Sequence, residues 1–196
     1  MRGLTVPQIL GRMILACAIL YLIWVAAKGL AAPLAQEDFP EALAIKAEQL
    51  PILFPLHMVT GALALLLVPL TYALRRTRAH RWAGGVTAML VLVSGLTAFP
   101  VAWTAPVTPW SGAGFMAQAT VWLLLLGLGL YKLKQRRFAA HRYYMLLMAA
   151  TTFGAVFFRL WLALWAMLGN YRHYHLGCSL DAWVGWLLPL GVMIAL

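Results

Sequence analysis

Six long apolar segments dominate the sequence and strongly limit how it can fold. They cover residues 9–31, 54–74, 84–104, 113–133, 143–168 and 180–196. A helix needs about 20 apolar residues to cross the ~30 Å hydrocarbon core of a bilayer, and all but the last segment reach that length. Because lipid offers the backbone no hydrogen-bond partners, each segment should be helical. We predict an all-α polytopic transmembrane helix bundle of about six helices, forming a single domain over residues 1–196.

The composition excludes an ordinary soluble protein. Hydrophobic residues make up 64% of the chain and charged residues only 10%, whereas a soluble domain carries about 25% charged residues. The net charge of +10 would be typical of a nucleic-acid-binding protein if it covered a soluble face. Here the basic residues cluster between the apolar segments, so we expect the lipid bilayer as partner and no nucleic acid.

The basic clusters predict the orientation in the membrane. They are the region around Arg2 and Arg12, the loop 75–81 and the loop 132–142. The positive-inside rule places all three in the cytoplasm. We therefore expect a bacterial inner (cytoplasmic) membrane protein with both termini cytoplasmic. The five acidic residues fall in the opposite connections, so we expect none of them in the membrane core.

Two segments on the side of the acidic connections, opposite the basic clusters, need separate predictions. Pro40 after Asp38 is typical of a helix start, and it predicts a short helix over 41–50. Asp181 is a plausible N-cap for the last segment. The remaining residues 182–196 would give only ~22 Å of helix. Either the last helix begins earlier, near Gly177, or it spans the membrane incompletely.

An internal similarity suggests a duplicated helical hairpin. The stretch RRTRAHRWAGG (75–85) resembles KQRRFAAHRYYML (135–147). In each, a basic run is followed by histidine, arginine, an aromatic residue and a new apolar helix. The core of helices two to five would then consist of two related hairpins, and membrane proteins built from repeats place binding sites between them.

Arg159 is the one clear charged residue inside a predicted span. Helical rise puts it ~24 Å beyond Tyr143, at the level of His57 in the second helix. Charged residues at such positions are costly and usually functional. Arg159 could face inward and bind a carboxylate, a phosphate or a cofactor propionate. It could equally snorkel to the outer headgroups.

The histidines raise the question of haem. Neutral imidazoles on different helices at matching depth are typical ligands of b-type haem iron. His80 and His141 meet this requirement at the cytoplasmic side. An outer site would need His57 and a second ligand, such as Met116. The alternative is that these histidine–arginine–aromatic starts only anchor the helices at the headgroups.

Several of these blocks resemble a known bacterial membrane family, domain of unknown function 2306. They are LHMVTGALALLLVPL (56–70), HRWAGG (80–85), AAHRYYMLLMAATTFGAVFFRLW (139–161) and WVGW (183–186). The resemblance implies membership over about residues 50–190 but no activity. Its signature positions correspond to His57, Gly61, His80, Arg81, Trp82, Gly84, His141, Arg142, Arg159 and Trp186. The chain departs from it at the end, where residues after the tryptophan pair stay apolar.

A weaker resemblance is to ascorbate-type transmembrane cytochromes b. The stretches LHMVTG and HRWAGG look like the starts of their haem-ligating helices. The resemblance implies an inner haem between His80 and His141. The fourth helix of this chain has no histidine, so an outer haem site would be lost or have a histidine–methionine pair.

Two functions follow as hypotheses. The first is a membrane redox component that binds b-type haem or interacts with quinol. The second is a cofactor-free membrane protein: a partner or assembly subunit, a homo-oligomer, or a carrier of a small anion or lipid with Arg159 in its pathway. The sequence contains no phosphate-binding glycine loop and no serine nucleophile motif.

Overall fold

The computed structural model describes residues 6–31, 34, 41–104, 106–168 and 173–196, and this part of the chain is helical without a strand. Six spans in it are long and apolar enough to cross a bilayer, the fifth made of two helices in succession. The predicted six-helix bundle is therefore confirmed. The helices are α1 (Val6–Ala31), α2 (Glu41–Gln49), α3 (Leu53–Ala73), α4 (Ala79–Trp103), α5 (Pro109–Lys134), α6 (Phe138–Thr152), α7 (Gly154–Leu168) and α8 (Tyr174–Ala195).

The bundle is built around α3, α4, α5 and α6. Each packs against the next in the chain, and α6 closes the ring by contacting α3. On the outside of this ring, α8 packs against α5, α6 and α7, and α1 packs against α3 and α7. Buried apolar side chains fill the middle, including Val91, Trp122, Leu147 and Trp186. The predicted hairpins of helices two to five therefore form the centre of the fold.

The predicted fifth segment, residues 143–168, lies within one apolar span, Phe138–Leu168, which is divided into two helices at Phe153. The hydroxyls of Thr151 and Thr152 donate to the carbonyls four residues earlier, a bond that competes with regular helix geometry and bends helices. Gly154 follows, and a Cβ at this position would lie 2.7 Å from Cβ of Trp186. Only glycine lets α8 come this close at the point where α7 begins.

The last span begins earlier than its apolar core, as one of the two predicted alternatives required. α8 starts at Tyr174, so it contains 22 residues and is long enough to cross the membrane. Asp181 is consequently not an N-cap but lies inside the helix. The third span likewise starts at Ala79, not residue 84, so His80 lies within α4. Polar residues in the first helical turns explain both differences, because they lower hydropathy without breaking the helix.

The two ends of the bundle differ: one has basic turns, and the other is covered by the short helix α2. The turns 74–78 and 135–137, which we call the basic end, join α3 to α4 and α5 to α6. At the opposite end lies α2, which confirms the predicted short helix; Asp38 falls outside the described residues. Nζ of Lys46 on α2 donates to the carbonyls of Val101 (2.8 Å) and Thr104 at the carboxyl end of α4. A cation there also complements the helix dipole.

Candidate functional site

His57 is held in one orientation by the contact between α3 and α4. Its Nδ1 lies 2.9 Å from the carbonyl oxygen of Ser94. A carbonyl can only accept, so Nδ1 donates and the neutral ring presents Nε2 as an acceptor. Gly61, one turn further along α3, permits the close approach, because a Cβ there would lie 3.0 Å from Oγ of Ser94. Gly61 therefore allows the close contact between α3 and α4 that holds His57 in this orientation.

Arg159 lies in the second turn of α7 and is half-buried. Its Nη1 donates to the carbonyl oxygen of Ala155 at 3.0 Å, and its charge acts on Tyr21 and His57. Within the described part of the chain, none of these partners is a carboxylate. The guanidinium thus carries an uncompensated positive charge inside a membrane span. A second charge on His57 would repel it, so we treat the imidazole as neutral.

A cavity of about 410 Å³ brings His57 and Arg159 together, as their predicted common depth required. It lies in the half of the bundle away from the basic end. Most of its wall is apolar, with contributions from Val25, Phe54, Leu65, Phe115, Phe158 and Leu162. Arg159 therefore lines the same cavity as His57, and its snorkelling to the outer headgroups stays a prediction.

Gln118 is a third polar group of this cavity, and the sequence analysis missed it. Its Nε2 donates to the carbonyl oxygen of Thr151 at 3.2 Å, close to the interruption between α6 and α7. The side chain lines the cavity, and its amide oxygen Oε1 is a hydrogen-bond acceptor. An amide in the apolar fourth span is the signal that could have identified it. Met116, the predicted second ligand of an outer haem, is not among the residues that line the cavity.

Lys46 closes the cavity towards the opposite end. Its side chain lines the cavity while its ammonium group binds the end of α4. Burial lowers the pKa of Lys46 below its usual value of 10.5. The cation that holds α2 in place is therefore partly removed from water.

His80 and His141 occupy equivalent positions in the two central hairpins. Nδ1 of His80 lies 3.0 Å from the carbonyl oxygen of Thr71 on α3, and Nδ1 of His141 lies 2.8 Å from that of Gly129 on α5. Each imidazole thus bonds the end of the preceding helix, a geometry that the repeated sequence blocks share. Neither histidine lines the cavity, and haem ligation by this pair stays a prediction.

Metal-ion sites of the ordinary kind are not apparent. Among the residues that the structure describes, no three histidine, cysteine or acidic side chains are grouped around a common point.

The expectation that acidic residues stay outside the membrane core is wrong for Asp181. This residue is only 5% exposed and lies within α8, because the helix begins seven residues before it.

Comparison with known proteins identifies a family. The family profile described as "Predicted membrane protein (DUF2306)" matches residues 54–196, a region that contains α4 to α8, all but the first residue of α3, and His57, Gln118 and Arg159 of the cavity. No curated protein and no solved structure matches the chain. The match covers well over half of the sequence and agrees with the resemblance seen in its motifs. This chain is therefore a membrane protein of the DUF2306 family.

Proposed function

We propose that this protein binds an anionic, amphipathic lipid in its cavity, as a lipid carrier or lipid-binding subunit. The carboxylate or phosphate head would contact Arg159, and the apolar tail would lie along the cavity wall. The observation that carries the proposal is Arg159 itself: a guanidinium in a membrane span that faces an apolar cavity and has no carboxylate partner among the described residues.

Electrostatics favours an anion over a neutral ligand. An unpaired charge removed from water costs several kcal/mol. An anionic head offsets that cost through charge-assisted hydrogen bonds, which are about twice as strong as neutral ones. Nε2 of His57 and Oε1 of Gln118 are acceptors, so they suit an anionic head that also carries a hydroxyl, such as a hydrogen phosphate.

Quinol is the second candidate, and those two acceptors favour it. A quinol has two hydroxyl donors, which match Nε2 of His57 and Oε1 of Gln118. It would leave the charge of Arg159 without compensation, however. On this ground we rank quinol below an anionic lipid.

Native mass spectrometry of the detergent-purified protein tests the proposal. The probes are oleate, phosphatidate, neutral diacylglycerol and a short-chain quinol, at equal concentrations. We expect retention of oleate, phosphatidate or both in preference to diacylglycerol. The two acids distinguish a carboxylate site from a phosphate site. Preferential retention of the quinol would support the second candidate.

A pair of variants assigns the binding to the cavity. Arg159→Met removes the charge from the cavity, and Arg78→Met removes an equal charge from an exposed turn at the basic end. We expect the first to lose at least about tenfold in affinity, the effect of one charged hydrogen bond, and the second to bind as the wild type does. Equal binding by wild type and Arg159→Met would refute the proposal.

A further inference from the structure

Asp181 is a buried carboxyl group that nothing in the proposed lipid site uses. It lies in the second turn of α8 and is 5% exposed. Both carboxyl oxygens are buried, and neither has a hydrogen-bond partner among the described residues. An ionised carboxylate without partners is very unfavourable in an apolar interior. Ionisable residues inside membrane spans commonly serve proton or ion pathways.

The interface between α7 and α8 also contains a buried donor without a partner among the described residues. Nε1 of Trp165 on α7 is buried without a partner in the described part of the chain. The indole packs on Gly177, where a Cβ would lie 2.9 Å from Nε1. The carboxyl group itself lies further along α8, where a Cβ at Gly185 would be 3.2 Å from Oδ1 of Asp181 and 3.3 Å from the backbone nitrogen of Phe158 on α7. The two unsatisfied groups therefore lie in the same helix interface but at different levels.

No described cation neutralises Asp181. The helices packed against α8 are α5, α6 and α7. On α7, Arg159 interacts with Ala155, Tyr21 and His57. The titratable groups of α5 and α6 lie at or near the basic end: Tyr131, Lys132, Lys134, His141, Arg142, Tyr143 and Tyr144. On α8 itself, Tyr174, His175 and Cys178 precede Asp181. An ionised Asp181 would therefore have no compensating charge among the described residues.

Cys178 lies near Asp181 on α8 and belongs to the wall of the cavity. It precedes Asp181 by one helical turn, on the same helix face, and it lines the cavity. Tyr174, one helical turn before Cys178, lines the cavity as well. Cys178 is therefore a cavity-lining residue one turn from the buried carboxyl group.

We propose that Asp181 is a proton-binding site that exchanges its proton with the cavity past Cys178. In this exchange the O–H bond of Asp181 breaks, the proton passes to a water molecule that enters from the cavity, and a carboxylate remains. Uptake is the reverse, and no oxidation or reduction occurs. The inference goes beyond lipid binding and does not require the lipid.

Infrared spectroscopy of the ligand-free protein in liposomes tests this inference. We expect a carbonyl band of a protonated carboxylic acid at neutral pH that shifts on transfer to D₂O. Asp181→Asn should lose this band and Asp181→Glu should move it, so the second variant still reports if the first fails to fold. Glu48→Gln, at an exposed carboxyl, is the matched control and should leave the band unchanged.

The rate of the D₂O shift tests the route. It should rise in Cys178→Ala and fall in Cys178→Leu, because the side chain at 178 controls access from the cavity. Identical carboxylic bands in wild type and Asp181→Asn would overturn the proton site, and exchange rates independent of residue 178 would overturn the route. Since no lipid is present, failure of lipid binding would leave this result untouched.

Discussion

Replacing Arg159 by methionine tests whether this residue serves to bind a ligand or to stabilise the fold. Methionine preserves most of the side-chain length and removes the charge. The variant loses the hydrogen bond to Ala155, worth about 1 kcal/mol. It also relieves an uncompensated charge, whose burial costs several kcal/mol. We expect the ligand-free variant to be more stable than the wild type by about 1 kcal/mol or more.

The same substitution should remove most of the stabilisation by lipid. A lipid at about 100 times its Kd stabilises the wild type by about 2.7 kcal/mol. Loss of a charged hydrogen bond, about 1.5–3 kcal/mol, weakens binding about 10- to 150-fold. With a loss of about 30-fold, the same lipid concentration gives only about 0.9 kcal/mol. The change therefore raises stability without lipid and lowers the response to lipid.

Thermal unfolding in detergent, followed by tryptophan fluorescence, measures both effects. For a chain of this size 1 kcal/mol corresponds to about 2–4 °C in Tm. Oleate or phosphatidate should raise Tm by about 5–10 °C in the wild type and by about 2–4 °C in Arg159→Met. A variant with lower Tm in the absence of lipid and an undiminished shift in its presence would refute the reasoning, because Arg159 would then be structural.

Three further predictions concern packing, pH and haem. Gly114→Ala should destabilise the protein by about 1–3 kcal/mol, because a Cβ there would lie 2.8 Å from a backbone oxygen of α8. Gly127→Ala, whose Cβ would meet nothing within 4 Å, should be neutral or stabilising by up to about 1 kcal/mol; equal Tm values for the two variants would contradict this. The lowered pKa of Lys46 means that the unfolded chain binds more protons in the alkaline range. Stability should therefore rise as pH increases from the lowered pKa towards 10.5, and Lys46→Met should lose that rise in Tm measurements; an unchanged pH profile would exclude Lys46 as the cause. If His80 and His141 bind haem, reduced-minus-oxidised spectra of the purified protein should show a b-type haem that either alanine variant lacks, whereas a colourless folded protein would eliminate this function.

The spans could be predicted from sequence because lipid imposes a simple requirement on the backbone. Any helix that crosses the membrane must be apolar over its length, and hydropathy detects this directly. The common depth of His57 and Arg159 followed from helical rise alone. The short α2 was predicted on a different ground, the proline that is typical of a helix start.

The interruption at Phe153 was not predictable in this way. It depends on back-bonding by Thr151 and Thr152 and on the packing of Gly154 against Trp186. The pattern of apolar residues along the sequence gives no information about such contacts between side chains and neighbouring helices. The cavity depends on the same contacts, so its position could not be deduced before the helices were placed.

Asp181 was misplaced because a polar residue near an apolar run is typical of a helix start. The preceding residues from Tyr174 lower the hydropathy, but they do not prevent helix formation. The spacing of Gly177, Asp181 and Gly185 at intervals of four was an available signal. It places the acid on the same face as two residues that permit close helix contact.

Photo-crosslinking most directly tests whether a lipid head occupies the cavity. The probe is a fatty acid that carries a diazirine beside its carboxylate, and the labelled peptides are identified by mass spectrometry. We expect labels within α3 and α7 close to His57 and Arg159, competed by unlabelled oleate and lost in Arg159→Met. Labels confined to lipid-facing positions such as Leu164 or Val192, equal in wild type and variant, would contradict a lipid site in the cavity.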